Sequence, residues 1–576
     1  MKFSIRKHLL FFLLFVWTGI SFAQYNHIGQ EDNLPDDFPM PEIVYSDNPS
    51  PGYFFLSPAG LWGFFPEATP YLVIIDNFGT PVFFQEQTSA AFDFKIQIDS
   101  TLTYAYGTRG KKHYVLNDKL EFVKELSVLG YPSDFHDLMV LKNGNYLMLA
   151  NEYRIVDMDT VVEGGQEGVT VIGGRIQIQD KEDNVLFSWS TFDHFEITDA
   201  ADHIDLTNPY SIDYAHVNSI DLDTDSTLII SSRNMHELTK IDLNTGDIIW
   251  RMGGRHNMFS FNSDTSAFSG QHDFRKLENG QFSLFDNNWF SGVEGSRGLI
   301  YELDEVNFEV NLIKQFKSYP EAIDGHIMGD VQPLPNGNWL VGWGSGDPNF
   351  TEFKADGSKA LEIRYDAVSY RAFKYNWKPR AFSFNTEEAS FGDVSTHQPT
   401  SMSLEFTNHL QESIEINFIH QHQAYFTVTN ELPISVGANA EVTIDIQFMP
   451  DGTEGVFSDL LTFCWDTEND ELSRRIAVQL AVKANATEGI GIEEDLFRDI
   501  RVYPNPFTEM LRIEKSGETN KEVKVALFNA LGQMVYESVL PDNGQLDIST
   551  ARFPKGLYQM TLSSENGKRV KKLLKY

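Results

Sequence analysis

His136-Asp137-Leu138-Met139-Val140-Leu141-Lys142-Asn143-Gly144-Asn145-Tyr146-Leu147-Met148-Leu149-Ala150-Asn151-Glu152 is the stretch on which the fold turns. Apolar and polar residues alternate on both sides of an Asn-Gly pair, which accepts the positive φ angles of a tight hairpin. The Leu-x-Asn-Gly turn recurs at Leu277-Glu278-Asn279-Gly280 and Leu334-Pro335-Asn336-Gly337, in the hairpins His272 to Asn287 and Gly329 to Ser345. His216 to Arg233 repeats the pattern around Asp223-Thr224-Asp225, and Phe92 to Arg109 is a weaker fifth copy. A second hairpin type alternates with the first. It begins at Tyr71 and recurs as His113 to Ser127, Arg175 to Ser190, Leu238 to Met252, Leu299 to Phe316 and Phe350 to Tyr365. Two hairpins make a four-stranded unit, and six such units in tandem predict a six-bladed β-propeller over 45–380. The missing sixth inner hairpin is left to strands from the two ends, such as Tyr53 to Leu56 or Phe373 to Trp377.

Outward from the repeat the pattern changes. Over 381–486, strands such as Ser403 to Phe406, Val442 to Phe448 and Ile476 to Val482 follow at the spacing of an immunoglobulin-like β-sandwich. No residue cluster there suggests chemistry, so it reads as a spacer or adhesion module. A linker at 487–500 leads to 501–576, whose short strands and Asp542-Asn543-Gly544 turn predict a small β-sandwich. At the other end, Met1 to Ala23 has a basic start, an apolar run from Leu9 to Val16 and Ser21-Phe22-Ala23. It reads as a signal peptide, too short to be a transmembrane anchor. The chain is therefore expected to be all-β and exported.

Composition narrows the function. The 576 residues include 82 acidic and 45 basic side chains, a net charge of −37. A leader at +3 and a tail at +4 leave −44 on the body between them. That balance argues against nucleic acid, whose binding needs clustered Lys and Arg. A single cysteine, Cys464, excludes an internal disulfide and a Cys-based zinc cage.

Counting back eight residues from each inner turn aligns His136, His272 and Gly329, with Phe92 and, within one residue, His216 at the same place. Three of five equivalent positions are thus His. In a propeller this position opens the strand lining the central channel, and the antiparallel return of the next strand brings its end to the same mouth. That end carries Arg233, with Asn151 and Asn287 in comparable places, and Asn218 follows His216 by two on the same strand face. Three imidazoles with a guanidinium suit a tetrahedral oxyanion better than a metal, which is usually completed by carboxylates. A His that attacks, flanked by Arg and neutral His donors, is a device for moving a phosphoryl or sulfuryl group. The plain alternative is three buried His capping strand starts.

Asp134-Phe135-His136-Asp137, Ala215-His216-Val217-Asn218-Ser219-Ile220, Ser231-Ser232-Arg233-Asn234, Ile249-Trp250-Arg251-Met252-Gly253-Gly254 and Gln271-His272-Asp273 together resemble the bacterial arylsulfotransferase family. The resemblance implies a six-bladed propeller that moves sulfate from a phenolic sulfate donor to a phenol acceptor through a sulfated histidine. It implies no nucleotide sulfate donor and no cofactor. It makes His272 the nucleophile and gives His216, Asn218 and Arg233 the sulfuryl oxygens, with His136 as acid and then base. Asn287 and Asn151 complete the substrate side, and no metal is expected. One departure stands out: where characterised members place a hydroxyl residue, this chain reads His326-Ile327-Met328-Gly329-Asp330. A backbone N–H would have to substitute, and an inward Asp330 would repel sulfate. Phe135, Trp289 and Trp343 could face a phenolic ring, although packing is the simpler reading for each.

The tail carries Val502-Tyr503-Pro504-Asn505-Pro506-Phe507, Lys555-Gly556-Leu557-Tyr558 and a closing Lys571-Lys572-Leu573-Leu574-Lys575. It resembles the C-terminal sorting domain of Bacteroidetes type IX secretion substrates. That implies handling by the type IX machinery and a destination in the medium or on the outer cell surface. Two competing functions remain: a non-catalytic surface propeller binding glycans or sulfated ligands, and a metal-dependent lyase or hydrolase using the His trio.

Overall fold

The structure is a computed structural model and describes residues 33–60, 68–107, 112–224, 226–288, 295–469, 472–488, 497, 500–516, 522–541, 543–564 and 567–576. The leader expected at 1–23, Arg109, Trp289 and most of the expected linker lie outside the described residues. Apart from four 3-10 turns, the regular structure described is all strand.

Six antiparallel sheets of at least four strands follow one another along 42–375 and form the blades. Blade 1 is made of Phe373–Tyr375, Tyr53–Leu56, Tyr71–Ile75 and Pro81–Glu86. Both terminal strands named from the sequence thus take part, Tyr53–Tyr375 pairing antiparallel and joining the two ends of the propeller. Blades 2 to 6 begin at Ala91, Ser133, Val217, His272 and Asp330. Neighbouring inner strands touch in sequence around the ring, and blade 6 returns to Phe373–Tyr375. Blade 6 also gains an outer strand, Glu42–Ser46, so the propeller begins a few residues before the expected boundary.

The three Leu-x-Asn-Gly hairpins close on their expected turns, with Gly144 at φ +82° accepting the left-handed conformation that the hairpin requires, whereas the blade 4 strand continues through Asp223 and Thr224. Less regular is the start of the inner strands. Pairing slips between Phe92 and Lys95, between Val217 and Ser219, and between His272 and Arg275, and a similar slip occurs opposite Met148 and Ala150 in blade 3. A bulge bends a strand and re-aims its side chains. Here it turns one residue to the mouth of the channel and the next into the channel itself. Asp93, Asp137 and Asp273 are the residues turned inward, each fully or nearly fully buried. They are held by Lys95, Arg275 and Arg371: Lys95 lies 2.6 Å from Asp137, Arg275 2.7 Å from Asp273 and Arg371 2.6 Å from Asp93. This ionic plug closes the channel beneath the mouth.

The sandwich is not hung on a free linker. Its long strand Leu472–Thr487 pairs with Pro81–Glu86, so the blade 1 sheet runs on into the sandwich. The C-terminal tail forms two further sheets over a core of its own, containing Phe497, Phe507, Leu527 and Tyr558.

Candidate active site

The mouth of the channel holds a cavity of about 310 Å³. His136, His216, His272, Arg233 and Asn151 line it, joined by Asp134, Asp213, Phe135, Met328 and Tyr370. Of the seven polar residues proposed from the sequence, five therefore converge on one space. Asn218 and Asn287 stand behind it, both buried.

Asn287 acts on His272. Its Oδ1 lies 2.7 Å from His272 Nδ1, and the Gly270 carbonyl lies 3.1 Å from the same nitrogen. Two acceptors on one side mean that Nδ1 carries the proton and donates, which leaves Nε2 as the unprotonated, accepting nitrogen. Asn287 Nδ2 donates to the carbonyls of Gly325 and Met328, at 2.5 and 2.9 Å, tying His272 to the loop before blade 6. Burial pushes the His272 pKa well below the usual imidazole value, and Arg233 adds to the effect. The ring is a neutral, oriented base. Asn218 Nδ2 donates to the Gln271 carbonyl at 2.7 Å, so it supports the strand that carries His272.

The other two imidazoles are backed by carboxylates. Asp134 accepts from His136 Nδ1 and from its backbone N–H, the latter at 2.9 Å. Asn151 Nδ2 donates to the second Asp134 oxygen at 2.9 Å, which fixes the carboxylate. Asp213 accepts from His216 Nδ1 at 2.6 Å and from its backbone N–H at 3.1 Å. In both pairs a carboxylate accepts the Nδ1–H hydrogen bond, which sets the orientation of the ring. The two rings meet edge to face with centroids 4.9 Å apart. Arg233 begins a 3-10 turn and its Nη1 donates to Asn234 Oδ1 at 2.9 Å, while Asn234 Nδ2 donates to the Asp213 carbonyl at 2.7 Å.

The departure in the loop before blade 6 has a structural reading. The Met328 N–H donates towards His272 Nε2 at 3.3 Å, so a backbone N–H lies at the reactive nitrogen. Asp330 does not line the cavity. It is fully buried, accepts from the Ala372 N–H at 2.9 Å, and burial together with Asp273 raises its pKa well above the usual carboxylate value. A protonated, inward-packed Asp330 places no anion at the mouth. Gly329 cannot be His here: at φ +102° an added Cβ would lie 2.5 Å from the Phe285 ring.

Among the candidate aromatics, Phe135 stacks on His136 with centroids 4.0 Å apart, whereas Trp343 is a core residue whose Nε1 donates to Thr351. Sequence reasoning missed Asp134, Asp213, Tyr153 and Tyr370. The channel aspartates had a visible signal: Asp follows the aligned position in Phe92-Asp93, His136-Asp137, His272-Asp273 and Gly329-Asp330.

Residues 109–366, the segment that carries His136, His216, Arg233 and His272, match the family Arylsulfotransferase (ASST). Most of the propeller therefore matches the arylsulfotransferase family. Residues 501–576 match the Secretion system C-terminal sorting domain, so the matched propeller segment is followed by a type IX sorting tail that directs a protein to the cell surface or beyond. No helix among the described residues is long and apolar enough to cross a membrane. No curated protein matches the chain. Among solved structures, a protein of unknown function from Bacteroides caccae is 11% identical, covering 56% of this chain and 99% of its own, at a TM-score of 0.36. Kuenenia stuttgartiensis hydrazine synthase is 13% identical over 54% of this chain and 79% of its own, at a TM-score of 0.30. The PapD-like domain 7 of human CEP192 is 12% identical over 19% of this chain and 86% of its own, at 0.15.

Proposed function

We propose that the protein is an exported arylsulfate sulfotransferase that passes a sulfuryl group from a phenolic sulfate ester to a phenol through a sulfohistidine at His272. The observation that carries this reading is the His272 environment: Nδ1–H is held by Asn287 and Gly270, the ring is neutral, and it lines the same cavity as Arg233.

In the first half-reaction the His272 Nε2 lone pair attacks sulfur and forms the N–S bond. The S–O bond to the aryl group breaks, and its electron pair leaves with the phenolate oxygen. His136, charged and held by Asp134, gives its Nε2 proton to that oxygen. Arg233 and the Met328 N–H take the negative charge on the sulfuryl oxygens, with His216 beside them in the cavity wall. The first phenol leaves, a second enters, and neutral His136 removes its proton as the oxygen attacks sulfur and the N–S bond breaks. The exchange is ping-pong. Asn151 belongs to the His136 side of the site, where it steadies Asp134. Asn218 and Asn287 act through His272 and its strand. No metal or cofactor takes part in this scheme.

The test uses purified protein with 4-nitrophenyl sulfate, with and without a second phenol. Release of 4-nitrophenol should depend on the acceptor, survive EDTA and fall by roughly 10⁴- to 10⁶-fold in His272→Ala. Mass spectrometry of the quenched donor half-reaction should find the sulfuryl group on the peptide containing His272. Loss of activity with EDTA, or no transfer to any phenol, would overturn the reading.

A further inference from the structure

One wall of the cavity continues beyond it. The strands Tyr146–Val156 and Val169–Gln179 are the longest of the propeller, and Ser211–Asp213 joins the second of them in parallel. Tyr153 stands opposite Ile172, and Ile172 opposite Asp213; two residues on, Ile155 stands opposite Thr170 and Thr170 opposite Ser211. Side chains alternate along a strand, so these six share one face. The opposite face carries Val171 and Ile212, which are buried in the core of blades 3 and 4.

The first row, Tyr153, Ile172 and Asp213, lines the cavity beside His216. The second row lies outside it, where Ile155 is 70% exposed and Tyr210, next to Ser211, is 83% exposed. Single exposed apolar residues are ordinary, but these extend a reaction site. The step from one row to the next is about 6.8 Å, the span of one aromatic ring. The cavity itself, at about 310 Å³, is at the small end for a ligand site and suits a one-ring phenyl sulfate. The connecting segment 157–168 holds Asp157, Asp159, Glu163 and Glu167 and no Lys or Arg, a field that disfavours an anionic substituent.

We propose that this face is a substrate shelf: the phenol oxygen sits at His272 while a second, uncharged ring of the same phenol lies over Tyr153 and Ile155 towards Tyr210. The proposal rests on the arylsulfotransferase reading and makes Ile155 and Tyr210 specificity-determining residues. With 4-nitrophenyl sulfate as donor, the kcat/KM for 2-naphthol relative to phenol should fall about 10-fold in Ile155→Asp. It should fall by a smaller factor in Tyr210→Ala, and circular dichroism should match the parent protein for both. An unchanged ratio in both variants overturns the shelf. Quenching of 2-naphthol fluorescence by the full-length protein measures binding without turnover. Binding that weakens in Ile155→Asp while no phenol is sulfated would sink the enzyme reading but keep the shelf. Transfer that proceeds with Ile155-independent 2-naphthol binding would do the reverse.

Discussion

Three histidines share this mouth, yet their Nδ1 partners differ. His272 has an amide and a carbonyl at Nδ1, neither of which stabilises a positive ring as a carboxylate would, and burial disfavours the cation. His136 and His216 each have an aspartate at that nitrogen instead. Because the His272 pKa is depressed, the ring stays neutral as pH falls through the ordinary imidazole range. Release of 4-nitrophenol in the donor half-reaction should therefore persist well below pH 6.5, measured as a stopped-flow burst. A full loss with a midpoint in that range, retained in His136→Gln, would contradict a neutral His272. His136→Gln should slow the donor half-reaction with phenyl sulfate by about 10²- to 10⁴-fold but affect that with 4-nitrophenyl sulfate much less, since nitrophenolate leaves without a proton. The three histidines and Arg233 were legible from the repeat register and the chemistry of the residue types. Asp134 and Asp213 were not. They lie two and three residues upstream of their partners, before the position that the repeat register aligns, and Asp213 sits on a separate strand with His216 at φ +50° between it and the inner strand.

The site is built from strand irregularities, so the elements matter as much as the side chains. Blade hairpins follow alternation and Asn-Gly chemistry, and these are local properties that a sequence displays directly. Tyr370 had no such signal, because it comes from the irregular segment between blade 6 and the returning strand Phe373–Tyr375. There its ring meets His136 with centroids 5.5 Å apart, and neighbouring Arg371 locks the segment to Asp93 and Asp273. The loop before blade 6 is likewise defined by tertiary contacts. Met328 at φ +66° and Gly329 at φ +102° direct the Met328 N–H to His272, and Asn287 holds the Met328 carbonyl. In Gly329→Ala the new Cβ would strike the Phe285 ring and lie 2.9 Å from the Gly342 carbonyl. The loop must then shift and withdraw its donor. We expect kcat to fall by about 10²- to 10³-fold, the scale for losing one oxyanion donor, with the KM for 4-nitrophenyl sulfate changed far less. A Gly329→Ala protein with parental kcat would show that this N–H carries no charge in the reaction.

At the scale of the whole molecule, the join between propeller and sandwich bears on the site through ring closure. Blade 1 contains the strand that follows Tyr370 and Arg371, and its outer edge is covered by Leu472–Thr487 rather than by solvent. An uncovered edge would present unpaired backbone groups. Polar links cross the join as well: Gln479 Nε2 donates to Asp76 at 2.8 Å, the Ser473 N–H to Glu86 at 3.0 Å and Lys119 Nζ to the His409 carbonyl at 2.6 Å. The sequence presented this sandwich as a separate module, because alternation identifies strands but not which sheet edge a distant strand will cover. Arg475 is the test point. It is buried, pairs with Asp466 through Nε at 2.7 Å and Nη2 at 2.8 Å, and packs 5.4 Å from the centroids of Phe84 and Phe418, one ring from each side. Removing one member of a buried pair leaves the other charge uncompensated, so Arg475→Ala should cost about 3 kcal/mol. The double variant Arg475→Met with Asp466→Leu, which removes both charges and keeps the volume, should recover most of that loss. Thermal unfolding followed by both circular dichroism and sulfuryl transfer should show the two signals falling together in the parent protein and at a lower temperature in Arg475→Ala. If activity in Arg475→Ala instead survives to the parental melting temperature, the propeller closes without help from the sandwich.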